Sequence, residues 1–232
     1  MKKNILKPLA CGGAVLLALT TAQAGSLTVN NFSFEQDVAG VGNVVTTIPT
    51  GWAAYNEAGS SDIGSQNAGG TDYTVNNPLA ATADANQYLY INMFNPSVTG
   101  GIFQDIGLLQ PNTDYTLTVA IGSRNDRINS SGIISLLNGK DNTGSLLATG
   151  GGLPVTQNTW EDYSINFTTG NTVSGDLTIG LSVLGNGTTI QADFDNVRLT
   201  ASPVPEPGTC ALVAAGFGLM VVGLRRKSTA SI

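Results

Sequence analysis

The absence of histidine limits the chemistry that the side chains of this protein can perform. Its 232 residues include no histidine and two cysteines. A Ser-His-Asp triad, a Cys-His pair and a His-ligated zinc or haem site are therefore excluded. Two carboxyl groups could hydrolyse glycosides without histidine, and Glu57 and Glu161 are imaginable partners. Because no spacing brings that pair together, we predict no catalytic residue and a protein that is not an enzyme.

Aromatic and polar side chains are better candidates for binding a ligand. Sugar sites combine flat aromatic faces for stacking with amide, carboxylate and guanidinium groups for hydroxyls. Tyr88 and Tyr90 are two residues apart, so on a strand they would share one face, either as a binding platform or as a core row. The predicted ligand-binding residues are Trp52, Tyr55, Tyr88 and Arg124, with Tyr73, Tyr90 and Trp160 as further aromatic candidates.

Several of these residues have a purely structural alternative. Trp52 lies in a glycine-rich stretch, which suits a ligand-binding loop and equally a plug that closes one end of the domain. For Trp160 and Tyr90 we favour core packing. Residues 124–127 form a compact charged group after a predicted strand, and surface ion pairing is the favoured interpretation there.

The first 24 residues have the three parts of a secretory signal peptide. Lys2, Lys3 and Lys7 form a basic start, residues 9–19 form an apolar run, and residues 22–24 (Ala-Gln-Ala) place small side chains before the cut. We predict cleavage by signal peptidase after Ala24. Cys11 is a poor lipidation site because the apolar run follows it rather than precedes it.

The other end of the chain carries a second hydrophobic segment. Residues 201–208 form a proline-rich linker. It can continue neither a strand nor a helix, because proline lacks a backbone N–H donor. Residues 209–224 carry no charge, and as a helix they would span about 24 Å, slightly less than a bilayer core of about 30 Å. The basic residues in 225–232 should stay cytoplasmic and leave the upstream chain outside. The alternative is a buried C-terminal helix of the domain.

This tail resembles the PEP-CTERM sorting signal of exported bacterial proteins. Pro205, Glu206 and Pro207 match its motif, and residues 209–224 match its membrane helix. Its basic end is matched by Arg225, Arg226 and Lys227. The resemblance implies recognition by a membrane exosortase, transient anchoring in the inner membrane, removal of the tail, and delivery to the cell surface or beyond it, often alongside exopolysaccharide production.

The body between the two signals is strongly acidic. It retains 4 basic residues against 15 acidic ones, a net charge of −11, so we expect no nucleic-acid partner. Both cysteines lie outside it, so the mature domain needs no disulfide. A domain of this size buries enough apolar surface without one.

Within residues 25–200, apolar and polar residues alternate with a period of two, as in half-buried strands. The clearest runs lie in residues 115–121, 163–167 and 177–183, and no window keeps a helical period. Residues 35–78 are rich in Gly, Ala, Asn and Ser and predict long loops. We therefore predict an all-β fold, a two-sheet antiparallel jelly-roll sandwich, flanked by the signal peptide and the C-terminal transmembrane helix.

The order of short motifs along this body resembles the galactose-binding-like jelly rolls, which include many carbohydrate-binding modules. The motifs are residues 29–35 (VNNFSFE), 51–52 (GW), 101–106 (GIFQDI), 111–117 (PNTDYTL), 160–163 (WEDY) and 193–199 (DFDNVRL). In such modules a structural calcium ion often ties the first strand to the last. The resemblance implies that Glu35 and Asp195 would supply carboxylates to it. Asp193 is two residues from Asp195 on a predicted strand, so the two side chains share one face and could share the site. The alternative is that these acids are solvated or that Asp195 caps a turn.

Together these observations predict an exported, exosortase-sorted surface or matrix protein that binds carbohydrate or exopolysaccharide without catalysis. One alternative is a structural matrix protein that packs against other proteins and needs no sugar. A polysaccharide-acting enzyme is the remaining alternative.

Overall fold

The computed structural model describes residues 24–55, 61–68, 85–95, 97–154, 156–185, 188, 190–204 and 215–216. Several predictions lie outside these residues. They concern residues 1–23 of the signal peptide, Glu57, Tyr73, the motif Pro205, Glu206 and Pro207, almost all of residues 209–224, and the basic tail with Arg225, Arg226 and Lys227.

The described chain forms two antiparallel sheets packed face to face, which confirms the predicted all-β sandwich. One sheet has seven strands in the order β10-β7-β12-β5-β4-β2, with β1 beside β12, and the other has the order β3-β6-β11-β8-β9. In chain order the strands are β1 (Gly25–Leu27), β2 (Val44–Val45), β3 (Ala53–Tyr55), β4 (Ser61–Asn67), β5 (Gln87–Met93), β6 (Thr99–Leu108), β7 (Thr113–Ser123), β8 (Gly132–Asn138), β9 (Ser145–Gly152), β10 (Thr159–Thr168), β11 (Asp176–Leu184) and β12 (Ile190–Pro203).

The main core lies between the sheets and follows the period-two pattern. In β7, Tyr115, Leu117, Val119 and Ile121 are buried against the other sheet. Strand β11 is buried on both faces, because it lies in the middle of its sheet and its small polar residues are covered as well.

Strand β12 is the central strand of the seven-stranded sheet. It pairs with β7 along most of its length, with β5 at its beginning and with β1 near its end. A register shift between Asp195 and Arg198 interrupts the pairing with β7, and Asn196 has a φ of 46° there. Asparagine tolerates this left-handed conformation better than most residues, so a bulge forms at this point.

The region predicted to be loops differs from that expectation. Strands β2, β3 and β4 all fall within residues 35–78. Their pattern is obscure because small and polar residues such as Gly64 and Ser65 occupy positions that bulky apolar residues usually fill. At Gly64 the reason is steric, since a Cβ atom would lie 2.0 Å from the carbonyl oxygen of Val45.

The glycine run at residues 150–152 has a composition typical of turns but forms the end of β9. A Cβ atom on Gly150 would lie 2.7 Å from Ile165, and one on Gly152 would lie 2.2 Å from the ring of Tyr163. The glycines therefore allow β9 to pack closely against β10 and close this side of the sandwich.

Candidate functional site

The outer face of the seven-stranded sheet, turned away from the main core, carries a second buried cluster. Tyr88 and Tyr90 of β5, Ala120 of β7 and Trp160 of β10 pack together there. Tyr88 is 0% exposed and Trp160 is 7% exposed. Aromatic side chains on the far side of a sheet are normally accessible to solvent, so this degree of burial marks the outer face as an unusual surface.

Two of these rings meet across the sheet. Trp160 and Tyr88 belong to strands three spacings apart, about 14 Å in a flat sheet. Their ring centroids are nevertheless 5.7 Å apart in an edge-to-face arrangement. Of the two intervening strands, β7 presents only Ala120 and Gly122 at this level, and β12 presents Asp193 and Asp195. The side chains of Tyr88 and Trp160 therefore cover the outer faces of β7 and β12.

Asp193 and Asp195 lie on the strand beneath these rings. Both alternate with core residues of β12 and so point to the outer face, and both are 0% exposed. Asp193 is opposite Gly122 on one side and Tyr90 on the other, and Asp195 is opposite Ala120. The prediction that the two carboxylates share one face is consistent with this placement.

Each carboxylate has a different hydrogen-bond partner. The Nε2 amide of Gln191 donates to Oδ1 of Asp193 over 2.6 Å. Oδ1 of Asp195 accepts the backbone N–H of Asn196 at the bulge, over 2.7 Å. Asp195 is thus bonded to the local backbone, whereas Asp193 lies at the level of Trp160 and beside Tyr90.

Arg124 is buried in the same cluster, with an exposed fraction of 1%. Its Nη1 donates to Oε1 of Gln66 over 2.6 Å and to the hydroxyl of Tyr88 over 3.1 Å. Its Nε and Nη2 form a bidentate pair with Asp126, each over 2.9 Å. The ion pairing that the sequence interpretation favoured is present, but Arg124 is buried rather than on the surface, and its guanidinium also orients Tyr88.

Two ionisable groups around the site have displaced pKa values. Burial acts to raise the pKa of Asp126, but the hydrogen bond and charge of Arg124 outweigh it and hold the pKa below its usual range. Burial, together with the charge of Asp62, raises the pKa of Tyr90 above its usual value. The Tyr90 phenol therefore stays neutral and donates to Asp62 over 3.3 Å.

The structure places Trp52 away from this cluster, in the main core. Its ring packs against Phe34 with centroids 5.7 Å apart, and its Nε1 donates to the carbonyl oxygen of Asn31 over 3.4 Å. With an exposed fraction of 8%, it corresponds to the plug that was the alternative to ligand binding.

Tyr55 is placed on the opposite side of the molecule. It belongs to β3 of the five-stranded sheet, and its ring lies 6.4 Å from that of Phe103. Burial raises the pKa of Tyr55, partly offset by a hydrogen bond with Ser182. Of the four predicted ligand residues, the structure therefore brings together only Tyr88 and Arg124.

The three predicted calcium ligands do not form a three-acid cluster. Oε1 of Glu35 accepts the backbone N–H groups of Asn86 and Gln87, over 2.7 and 2.5 Å, at the beginning of β5. Within the described residues no group of three or more acidic or cysteine side chains could hold a metal ion. The residues described here thus do not fit a carboxylate-rich site, and a calcium site remains a prediction that would need backbone oxygens.

A chelator tests this prediction directly. If calcium tied Glu35 to Asp195, adding excess EDTA to the purified protein should lower its melting temperature, and calcium should restore it. With Glu35 bonded to two backbone amides instead, the melting temperature should change by less than about 1 °C. Differential scanning fluorimetry with and without calcium measures the difference, and a Glu35→Gln variant, which weakens the amide contacts, provides the comparison.

A cavity of about 440 Å³ lies beside β1, away from the outer-face cluster. Its lining is mostly apolar and contains Leu27, Val29, Phe32 and Val197, with Arg198 at its edge. Its polar lining consists of Ser26, Thr28, Asn196 and Arg198, and no carboxyl group lines it. The outer-face cluster is therefore the better candidate for chemistry.

The family comparison matches the domain that carries this cluster. Residues 25–200 match the model of the HpiC1-like family, described as HpiC1 cyclase. The chain belongs to the HpiC1 cyclase family. The prediction that the protein is not an enzyme is therefore wrong. That prediction relied on spacing along the chain, whereas the acidic and aromatic groups of this cyclase-family domain come from strands distant in sequence.

Solved cyclase structures share the fold. An apo cyclase from Fischerella sp. is 24% identical, with a TM-score of 0.66, over 79% of this chain and 98% of that chain. The Stig cyclase Fisc from Fischerella sp. TAU, in complex with (3Z)-3-(1-methyl-2-pyrrolidinylidene)-3H-indole, is 23% identical, with a TM-score of 0.65, over 79% of this chain and 100% of that chain. A cyclase from the same source was solved with 4-(1H-indol-3-yl)butan-2-one, at 24% identity and a TM-score of 0.66, over 78% of this chain and 100% of that chain.

The tail has its own match. Residues 203–227 match the PEP-CTERM protein-sorting motif, which confirms that prediction and indicates export with exosortase sorting. The described part of the chain contains no helix with the length and hydropathy to cross a membrane. A search among curated proteins found no match.

Sequence reasoning did not associate Trp160 and Asp193 with Tyr88 and Arg124, which the structure places on the same outer face. The expected packing of Tyr90 and Trp160 is confirmed, since both are buried in this second cluster, whereas Asp193 was considered only as a metal ligand. The available indication was that Asp193 alternates with apolar residues on the last strand, so it had to face the same side as Tyr90 if the two strands paired.

Proposed function

We propose that the protein is an exported enzyme that catalyses acid-initiated cyclisation of an unsaturated, aromatic substrate. One observation carries the proposal: the buried carboxyl group of Asp193 lies on the sheet beneath the paired rings of Tyr88 and Trp160. A carboxyl group in an aromatic-lined, buried site is well suited to act as a general acid.

The groups of the cluster have complementary roles in such a reaction. Asp193 donates a proton to a carbon of the substrate double bond, which leaves a cation on the neighbouring carbon. The faces of Tyr88, Tyr90 and Trp160 stabilise that cation through their π electrons. An electron-rich ring of the substrate attacks the cation and forms the new carbon–carbon bond. Loss of a proton to the Asp193 carboxylate restores the acid, so the product is an isomer of the substrate.

The substrate class follows from the shape and chemistry of the cluster. Flat aromatic side chains favour a flat aromatic ligand, and exclusion of water protects the cation from being trapped as an alcohol. The two Fischerella structures with indole-containing ligands are consistent with a substrate of this type. We therefore propose an indole bearing an alkenyl side chain.

The experiment that tests this proposal is turnover in D₂O. The mature domain is incubated with a panel of 3-alkenyl indoles, and the products are separated and weighed by mass spectrometry. The proposal requires a cyclic isomer that contains deuterium on carbon. Unchanged substrates across the panel, with a folded protein, would argue against the cyclase function.

Carbohydrate binding is the second candidate for the same site. Its support is that hydrogen-bonding groups surround the rings, including the Gln66 and Gln191 amides and the Arg124 guanidinium. These are the groups that bind sugar hydroxyls. Pull-down with exopolysaccharide separates the candidates, because a polymer ligand requires retention by the wild-type domain and weaker retention by Tyr88→Ala.

We also propose that residues 209–224 hold the protein in the inner membrane until an exosortase removes the tail. The PEP-CTERM match supports this route, and the mature domain would then reach the cell surface or the extracellular space.

Intact-mass measurement of the protein recovered from its native cells checks the processing. The expected product begins at Gly25 and lacks the basic tail. In a strain without exosortase, the tail should remain and the protein should stay in the membrane fraction. A full-length C-terminus in exosortase-containing cells would contradict the proposal.

A further inference from the structure

The sorting tail leaves the sandwich at one end, and the outer-face cluster lies toward the other end. The end at which β12 finishes is called the tail end here and comprises the loops at residues 109–112 and 169–175 together with Val204. The outer-face cluster lies toward the other end, since Asp193 is opposite Gly122, whereas Pro203 is opposite Thr113. Nine residues of β7 separate these two levels, which corresponds to about 30 Å along the strand.

The chain leaves the domain at a fixed point of the tail end. Pro203 is still paired with Thr113, and the backbone N–H of Val204 donates to the carbonyl oxygen of Asn112 over 2.7 Å. Asn112 in turn donates its N–H to Gly170 over 2.9 Å. The exit of the tail is thus hydrogen-bonded to the loops on both sides of it. The linker to the apolar segment therefore begins only after Val204.

The distance from this exit to the apolar segment is short. Five residue steps separate Val204 from Thr209, which span about 17 Å when fully extended. The headgroup layer takes up roughly 5–8 Å of that distance. About 10 Å then remains between the tail end and the membrane surface, far less than the length of β7.

We infer that the tail end of the sandwich faces the lipid bilayer and that the outer-face cluster is held about 30 Å farther out. This rests on the membrane anchoring proposed above, but not on the cyclase activity. The net charge of −11 on the body disfavours the alternative in which the domain lies flat on an anionic membrane. Leu108, with 70% of its surface exposed at the tail end, is an apolar contact available to the bilayer.

The absence of cysteine from the body makes the inference testable by site-specific labelling. The full-length chain, with Cys11 and Cys210 replaced by Ser, is reconstituted in vesicles that contain a lipid-linked energy acceptor. A donor is attached to Asn171→Cys at the tail end or to Asn125→Cys at the other end, both exposed positions outside the proposed catalytic groups. We expect several-fold stronger energy transfer from position 171 than from position 125.

A linker variant provides the matched control. Inserting 20 Gly and Ser residues after Val204 should largely remove the difference between the two positions, because the tether then no longer limits orientation. Equal transfer from both positions without the insertion, or stronger transfer from position 125, would overturn the inference. A chain that fails to float with the vesicles would overturn the anchoring itself and the inference with it.

Discussion

Replacing Asp193 with Asn is expected to reduce cyclisation roughly 10²- to 10⁴-fold, the range found when a general acid is removed. Asparagine has the same shape and keeps an oxygen for the amide of Gln191, which lies 2.6 Å from the carboxylate. It has no proton of suitable acidity to donate to carbon. The fold should therefore persist while deuterium incorporation from D₂O is lost. Turnover of an alkenyl indole by the purified variant measures the effect.

Two further Asp→Asn variants test whether the loss of turnover is specific to Asp193. Asp195 shares the face but is bonded to the backbone of Asn196, so its replacement should reduce turnover much less than that of Asp193. Asp162 lies on the exposed part of the same face, where it pairs with Arg198 over 2.5 Å, and its replacement should leave turnover nearly unchanged. Equal losses from Asp193→Asn and Asp162→Asn, or full activity of Asp193→Asn, would remove Asp193 from its proposed role.

Replacing Arg124 with Met should lower the stability of the domain by about 2–4 kcal/mol, which corresponds to a fall in melting temperature of about 5–15 °C. Methionine fills the space of the buried side chain but leaves the amide oxygen of Gln66 and the hydroxyl of Tyr88 without the guanidinium that they bond to. Turnover should fall as well, because Tyr88 loses the contact that orients its ring. Thermal unfolding and turnover on the same preparation measure both effects.

Arg198→Met is the matched control for this change. Arg198 also pairs with an aspartate, but 42% of its side chain is exposed, so its loss should cost no more than about 1 kcal/mol. A melting temperature that falls equally in both variants would contradict the importance assigned to burial.

Acid unfolding adds a signature of the Arg124–Asp126 pair. The pKa of Asp126 is lowered in the folded protein, so the ion pair stabilises the fold fully above the unfolded value of about 3.8, and this contribution is lost as the pH falls through the lower folded value. Stability measured between pH 5 and pH 2 should show a smaller loss in Arg124→Met than in the wild type, because the charge of Arg127 still acts on Asp126.

The main sheets could be predicted from the sequence because their inner faces alternate regularly. Strand β7 illustrates this: Tyr115, Leu117, Val119 and Ile121 are apolar, and every second residue between them is small or polar. The period-two pattern was weak in β4, where Gly64 and Ser65 leave space for a neighbouring backbone rather than fill a core. A hydrophobicity pattern does not detect a position at which glycine is needed because a neighbouring backbone leaves no room for a side chain.

The candidate site was less predictable because its members come from separate strands. Tyr88 and Arg124 were identified as ligand residues, but the sequence offered no reason to associate them with Trp160 or Asp193. The association depends on strand order, since β10, β7, β12 and β5 are adjacent in the sheet but not in the chain. For Trp52 the glycine-rich neighbourhood suited a ligand-binding loop and a plug equally, and the structure corresponds to the plug, because the ring packs on Phe34.

The central position of β12 has a consequence for how the protein reaches its destination. Strand β12 is the last strand before the sorting tail, yet β1, β5 and β7 all pair with it. Until residues 190–203 have crossed the membrane, β5 and β7 present unpaired edges and the seven-stranded sheet stays incomplete. Long-range pairing of this kind is also slow to form. The order of strands thus means that the face carrying the candidate site is completed only when residues 190–203 have joined the sheet.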